Sequence, residues 1–183
     1  METEERLIAS FKKLMIDHPF NKITIKMITD SANVIRPTFY NYFQDKYEIF
    51  SVILEKELFN SLHSLIEVDM LQEAAKMIFV YFDKNRAFYK RAFEVDGQNS
   101  FEEILINRIS NLILHAIQNS DTTTIEEISI LTKEQLAKYY SLNLVLAIKM
   151  WFQEDKKEVI SADKFFEVYT FLITHDFQDF FNF

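Results

Sequence analysis

Cysteine is absent from the 183 residues, glycine occurs once, as Gly97, and proline twice, as Pro19 and Pro37. Without cysteine there are no disulfides, thiol nucleophiles or thiolate metal sites, which fits a reducing compartment. Sheet-rich folds need glycine and proline at their many turns, so so few of them predict an all-α chain. One glycine also excludes the dinucleotide fingerprint and the P-loop, where several glycines let backbone approach phosphate. Long apolar runs are missing too. The longest stretch, Leu142 to Phe152, is interrupted by Asn143 and Lys149 and is too short for a bilayer. The first residues, Met1-Glu2-Thr3-Glu4-Glu5, are acidic and lead into an amphipathic pattern, unlike an export signal. These features predict a cytoplasmic protein with no membrane partner.

What is present is apolar bulk: 49% hydrophobic residues and 19 phenylalanines, enough for a large core. The net charge of −8 is unevenly spread. Residues 1–50 hold seven basic and seven acidic side chains; the remainder holds the other 13 basic and 21 acidic ones. A locally neutral head therefore precedes an acidic body, with the division expected between 1–50 and 51–183.

Periodicity and capping signals predict eight to ten helices and no sheet. Leu7, Ile8, Phe11, Leu14 and Met15 recur at helical spacing, and Pro19 ends that helix. A short helix from about Ile25 to Ser31 follows, with Thr24 as N-cap. Asn33 suits the left-handed turn after it. A second short helix is expected from Arg36 to Phe43, with Pro37 in its first turn. Asp45 and Glu48 then resemble a capping box opening a long helix along Phe50, Ile53, Leu58, Leu62 and Leu65. Further boxes stand at Ser100/Glu103 and Thr132/Gln135. Asp121-Thr122-Thr123-Thr124 reads as a connection, and Glu102-Glu103 and Glu126-Glu127 as solvated faces.

The two short helices form a candidate helix-turn-helix. In the second, Phe39 and Phe43 at i and i+4 suit a core, whereas Arg36, Thr38, Tyr40, Asn41 and Tyr42 are of types that reach phosphate oxygens or base edges. The run Thr24-Ile25-Lys26, Ala32-Asn33-Val34 and Thr38-Phe39-Tyr40-Asn41-Tyr42-Phe43-Gln44-Asp45-Lys46 resembles the DNA-binding head of the TetR family of bacterial transcriptional regulators, over roughly residues 5–52. The resemblance implies an all-helical homodimer with a three-helix DNA-binding domain and a divergent regulatory domain. It implies that Arg36, Pro37, Thr38 and Asn41 face the major groove, with Lys26 reaching it from the preceding helix. Thr24, Tyr40, Tyr42 and Lys46 would hold phosphates. Asn33 and Ile35 stand where the family usually has glycine and a small polar cap, which predicts weaker or more deformation-dependent DNA binding.

The four histidines lack ligand spacing and the Glu-x-x-His pairs of a di-iron bundle are missing. No metal, cofactor or enzymatic constellation is expected. In the family's fold, Phe82, Tyr89, Phe93, Phe101 and His115 would surround an effector cavity, although an aromatic stripe at helical spacing equally describes plain core. The apolar C-terminal helices have to bury two faces, and Tyr140, Leu144, Ile148, Trp151, Phe166, Tyr169, Ile173 and Phe177 suit an intersubunit four-helix bundle. Asn85 to Lys90 and Ala147 to Phe152 are similar to the subgroup of dihydroxyacetone-kinase operon activators, which answer to a protein co-regulator. The effector is thus a small molecule or a protein. The competing class is a helical protein-interaction module that has lost DNA competence, which Ile35 and the net charge motivate.

Overall fold

The computed structural model describes residues 2–119, 131–153 and 160–180. The expected connection at Asp121 to Thr124 and the Glu126-Glu127 face lie outside the described residues, as does the side chain of Phe177. Every described element is a helix: α1 (Thr3–Asp17), α2 (Ile25–Ser31), α3 (Arg36–Tyr40), α4 (Glu48–Leu54), α5 (Asn60–Glu67), α6 (Leu71–Lys84), α7 (Arg86–Ala92), α8 (Phe101–Asn119), α9 (Lys133–Gln153) and α10 (Ala162–Thr174).

Local chemistry sets the ends. The Glu2 N–H donates to the Glu5 carboxylate at 3.2 Å, closing a box that starts α1. His18 is extended before Pro19, as the residue preceding a proline prefers. After α2, Asn33 takes φ 53°. Its N–H donates to the Asp30 carbonyl (3.2 Å), and the Val34 N–H reaches back to Thr29 (3.0 Å). That pair of bonds is a Schellman ending, with Asn33 in the place glycine usually fills. Thr132 and Gln135 form the reciprocal box expected of them, at 2.9 and 3.2 Å.

Two elements depart from the sequence expectation. Helix α3 stops at Tyr40 rather than Phe43, because the N–H groups of Tyr42 and Phe43 both converge on the Phe39 carbonyl, each at 3.0 Å. The long helix opened by Asp45 is interrupted by a π-helical turn, Glu55–Phe59, between α4 and α5. Asp45 does cap it, its carboxylate accepting from the N–H of Tyr47 (2.7 Å) and Glu48 (3.0 Å). Glu48 bonds the Gln44 N–H rather than that of Asp45.

Phe50 sits where head and body meet. Its ring lies 5.2 Å from Phe11 and 5.6 Å from Phe20 on the head side, and 6.1 Å from Phe88 and 5.4 Å from Phe101 on the body side. The two parts expected to divide near residue 50 therefore share one continuous core. Edge-to-face and offset contacts of this kind each add about 0.5–1.5 kcal/mol beyond burial. In the body, α9 packs along α8 and α10 lies on α6. Phe79 of α6 meets Phe165, Phe166 and Tyr169 of α10, and Trp151 stacks on Phe165 at 4.8 Å. The Trp151 indole N–H donates to the Ile160 carbonyl at 2.9 Å.

Candidate nucleic-acid interface and effector cavity

The head exposes one polar face. Phe39 of α3 and Phe43 just beyond it, ring centroids 5.4 Å apart, are buried and turn the rest of this segment outward. Thr24, Lys26, Arg36, Pro37, Tyr40, Asn41 and Tyr42 are all exposed, and Thr38 is half-buried. Thr24 is also structural: its hydroxyl accepts from the Met27 N–H at 3.2 Å and caps α2. Arg36 is held against its own helix. Its guanidinium donates to the Tyr40 hydroxyl (3.0 Å) and lies 5.7 Å from that ring's centre.

Lys46 is placed differently from its neighbours. Its ammonium donates to the carbonyls of Phe20 (2.7 Å) and Ile23 (2.9 Å) and sits 4.1 Å over the Phe20 ring. Burial lowers its pKa. Two of its three N–H donors are thereby spent on the turn before α2, so Lys46 fixes the approach to α2 and has one donor left for an outside acceptor.

The body contains an apolar cavity of about 400 Å³, within the range of small-ligand sites. Ile66, Leu71, Ala74 and Ile78 supply one side; Ile109, Leu112, Ile113, Ala116 and Ile117 of α8 supply another. Tyr140 and Leu144 of α9, with Tyr169 and Ile173 of α10, complete it. Among the described residues, no charged side chain lines it, and Tyr140 and Tyr169 are the lining residues that carry a polar group on the side chain. Burial, and secondarily Tyr140, pushes the Tyr169 phenol up to about 12.

This arrangement corrects two expectations. Phe82, Tyr89, Phe93 and Phe101 do not line the cavity; they are buried between α4, α6, α7, α8 and α9 as core. His115 stays outside it as well, although its neighbours Leu112, Ile113, Ala116 and Ile117 line it, and its ring lies 5.9 Å from His63. The stripe expected between subunits is divided: Tyr140 and Ile173 stay exposed, at 39% and 47%, while others of it turn inward. Ile148 and Trp151 are buried in the chain's own core and Phe166 packs on Phe79. Tyr140, Leu144, Tyr169 and Ile173 line the cavity.

A different stripe is left in water: Tyr139, Leu142, Leu146 and Met150 on α9, with Val168, Phe171 and Leu172 on α10, each at least 43% exposed. The 142/146/150 spacing could have marked that face in the sequence. Periodicity alone does not say which of two apolar faces a chain keeps for itself.

A short-turn pair of helices offering a polar, aromatic second helix, carried on a helical body with an open apolar cavity, is the build of a helix-turn-helix transcriptional regulator. Residues 7–53 match the bacterial regulatory proteins of the tetR family, and residues 69–162 match the transcriptional regulator C-terminal region found in the same family. The chain belongs to the TetR family. Among its relatives is the HTH-type dhaKLM operon transcriptional activator DhaS of Lactococcus lactis subsp. lactis (strain IL1403), 27% identical over 137 residues, covering 75% of this chain and 72% of that one. The fold is that of the solved dihydroxyacetone kinase operon activator DhaS (TM-score 0.61, 23% identity, 94% and 92% of the two chains). A TetR-family transcriptional regulator from Syntrophomonas wolfei str. Goettingen shares it too (TM-score 0.67, 18% identity, 94% and 93%).

Proposed function

We propose that this regulator binds a pseudo-palindromic operator as a homodimer and is controlled by a small, apolar, uncharged effector in the body cavity. The observation that carries the DNA-binding part is the division of α3. Across α3 and the turn that follows it, Phe39 and Phe43 are wholly inside, while Arg36, Pro37, Tyr40, Asn41 and Tyr42 all stand in solvent on a head of balanced charge. A solvated structural helix of this length has no use for two exposed tyrosines and an arginine held against one of them. In this reading Arg36, Pro37, Thr38 and Asn41 enter the major groove with Lys26 beside them, and Thr24, Tyr40, Tyr42 and the remaining donor of Lys46 meet phosphates.

The exposed residues on α9 and α10 support dimerisation, because seven large apolar side chains left in water on these helices favour burial against a second copy. The cavity supports a small ligand over a protein co-regulator: it is concave, and its described lining is apolar, which suits an uncharged molecule. Binding there changes DNA affinity to the extent that the ligand distinguishes two placements of the heads, typically 1–3 kcal/mol in such systems.

Selection of duplexes from a random pool by the full-length protein tests the reading. The expected product is an inverted repeat with half-sites about one helical turn apart. With roughly six to eight phosphate contacts per dimer, the salt slope should be near −5 to −7. Recovery of no motif by a folded dimer would leave the interaction-module alternative standing.

A further inference from the structure

Ile35 is 70% exposed, more than any other large apolar side chain among the described residues. It occupies the N-cap of α3 with extended backbone (φ −84°, ψ 152°), and no side-chain hydrogen bond caps the helix there. Its carbonyl accepts from the Thr38 N–H at 2.9 Å, so the helix start is made by main chain alone. Serine, threonine or aspartate would serve that position better as a cap. A single exposed isoleucine on an arbitrary surface needs no explanation. This one stands on the edge of the recognition helix that leads into the groove in helix-turn-helix proteins.

Two further facts sharpen its position. Arg36, the next residue, is drawn back along the helix by the Tyr40 hydroxyl at 3.0 Å, and Pro37 has neither length nor a donor. Ile35 is thereby the apolar side chain offered to solvent at the start of α3. It is also β-branched, so few rotamers are open to it and little freedom is lost on contact. An apolar, stiff side chain at that place gains most from one feature of the major-groove edge, the thymine 5-methyl group, the largest apolar group there; the hydrogen-bonding groups beside it have nothing to gain from isoleucine.

We propose that Ile35 is a specificity-determining residue that reads a thymine methyl in each half-site of the operator. The inference rests on the DNA-binding reading above, and the experiment separates the two. Once an operator is selected with the full-length protein, each thymine of a half-site is replaced in turn by deoxyuridine, which removes the methyl and leaves the pairing edge unchanged. One position should lose about fourfold per half-site, the value of one methyl's burial, and about sixteenfold when both half-sites are changed. Ile35→Ala should bind the thymine and uracil duplexes equally at that position. Ile35→Ser, which restores a capping side chain and so guards against a folding defect, should do the same. Insensitivity of the native protein to every deoxyuridine replacement overturns the proposal and leaves the regulator reading intact. Full uracil sensitivity in Ile35→Ala also overturns it, because another side chain must then touch the methyl. Selection that yields no operator from a folded dimer overturns both readings.

Discussion

Lys12 of α1 and Glu57 of the π-helical turn form a two-pronged ion pair, with the ammonium 2.9 and 2.7 Å from the two carboxylate oxygens. The same carboxylate accepts from the Tyr81 hydroxyl at 3.0 Å, and Tyr81 in turn lies 2.5 Å from the hydroxyl of the buried Tyr89. A polar chain thus runs from the head into the core of the body. The adjoining charges of the turn are paired as well: Lys56 with Glu4 of the head, and Glu55 with Arg108 of α8. π turns often occur at functional places in helices, and this one is where head and body exchange charged contacts.

Both Lys12 and Glu57 are partly solvated, at 22% and 34% exposure. Lys12→Ala and Glu57→Gln should therefore each lower stability by only about 0.5–1 kcal/mol. The glutamine keeps an acceptor for Tyr81 while removing the charge. The double variant should fall well short of the sum of the two, since both substitutions remove one interaction. Urea unfolding of the four proteins measures this. Additive losses would show that the pair does not hold the head.

Lys46 and Lys26 should separate structure from binding. Lys46→Met removes the donor to the carbonyls of Phe20 and Ile23, so the head should lose about 1–2 kcal/mol along with DNA affinity. Lys26 is exposed, and Lys26→Ala should weaken DNA binding while its melting curve stays with that of the native protein. Thermal melts beside salt-dependent binding distinguish them.

Leu146→Glu, on the exposed stripe, should give a folded monomer, read from light scattering and far-ultraviolet dichroism. Ile148→Ala, two residues on but fully buried, should instead lower stability by about 2–5 kcal/mol with the oligomeric state unchanged at concentrations where the protein is folded. A Leu146→Glu protein that remains dimeric would place the interface elsewhere.

Tyr89 and Tyr81 have phenol pKa values raised above the ordinary 10, burial being the largest cause for both. Their folded-state values exceed the unfolded ones, so the folded chain binds more protons once pH passes 10. Stability is then fully present below about pH 10 and lost as pH rises beyond it. Tyr81→Phe should lessen the steepness of that loss while leaving the neutral-pH profile unaltered in shape. Unfolding midpoints between pH 8 and 11 test it.

Much of the head was legible in the residues themselves. Pro19, Thr24, Asn33 and the Phe39/Phe43 pair act within a few residues of themselves, and each of these four signals has its expected counterpart in the structure. The early end of α3 was not legible, because it depends on two N–H groups converging on one carbonyl. Nor was the double engagement of Lys46, whose acceptors lie 26 and 23 residues away.

The body shows the same limit more strongly. Composition and the absence of turn residues determined that this chain is helical, and local motifs determined where its head begins and which face of α3 is apolar. Only the packed structure decided that Tyr89 and Phe101 fill the core, that Tyr140 and Tyr169 meet at a cavity, and that Leu146 rather than Ile148 faces water. The reason is physical. Caps and periodicity are set by neighbours along the chain, whereas the choice between two apolar faces of α9 depends on which one α8 occupies, and that is settled only when distant helices compete to bury their surfaces together.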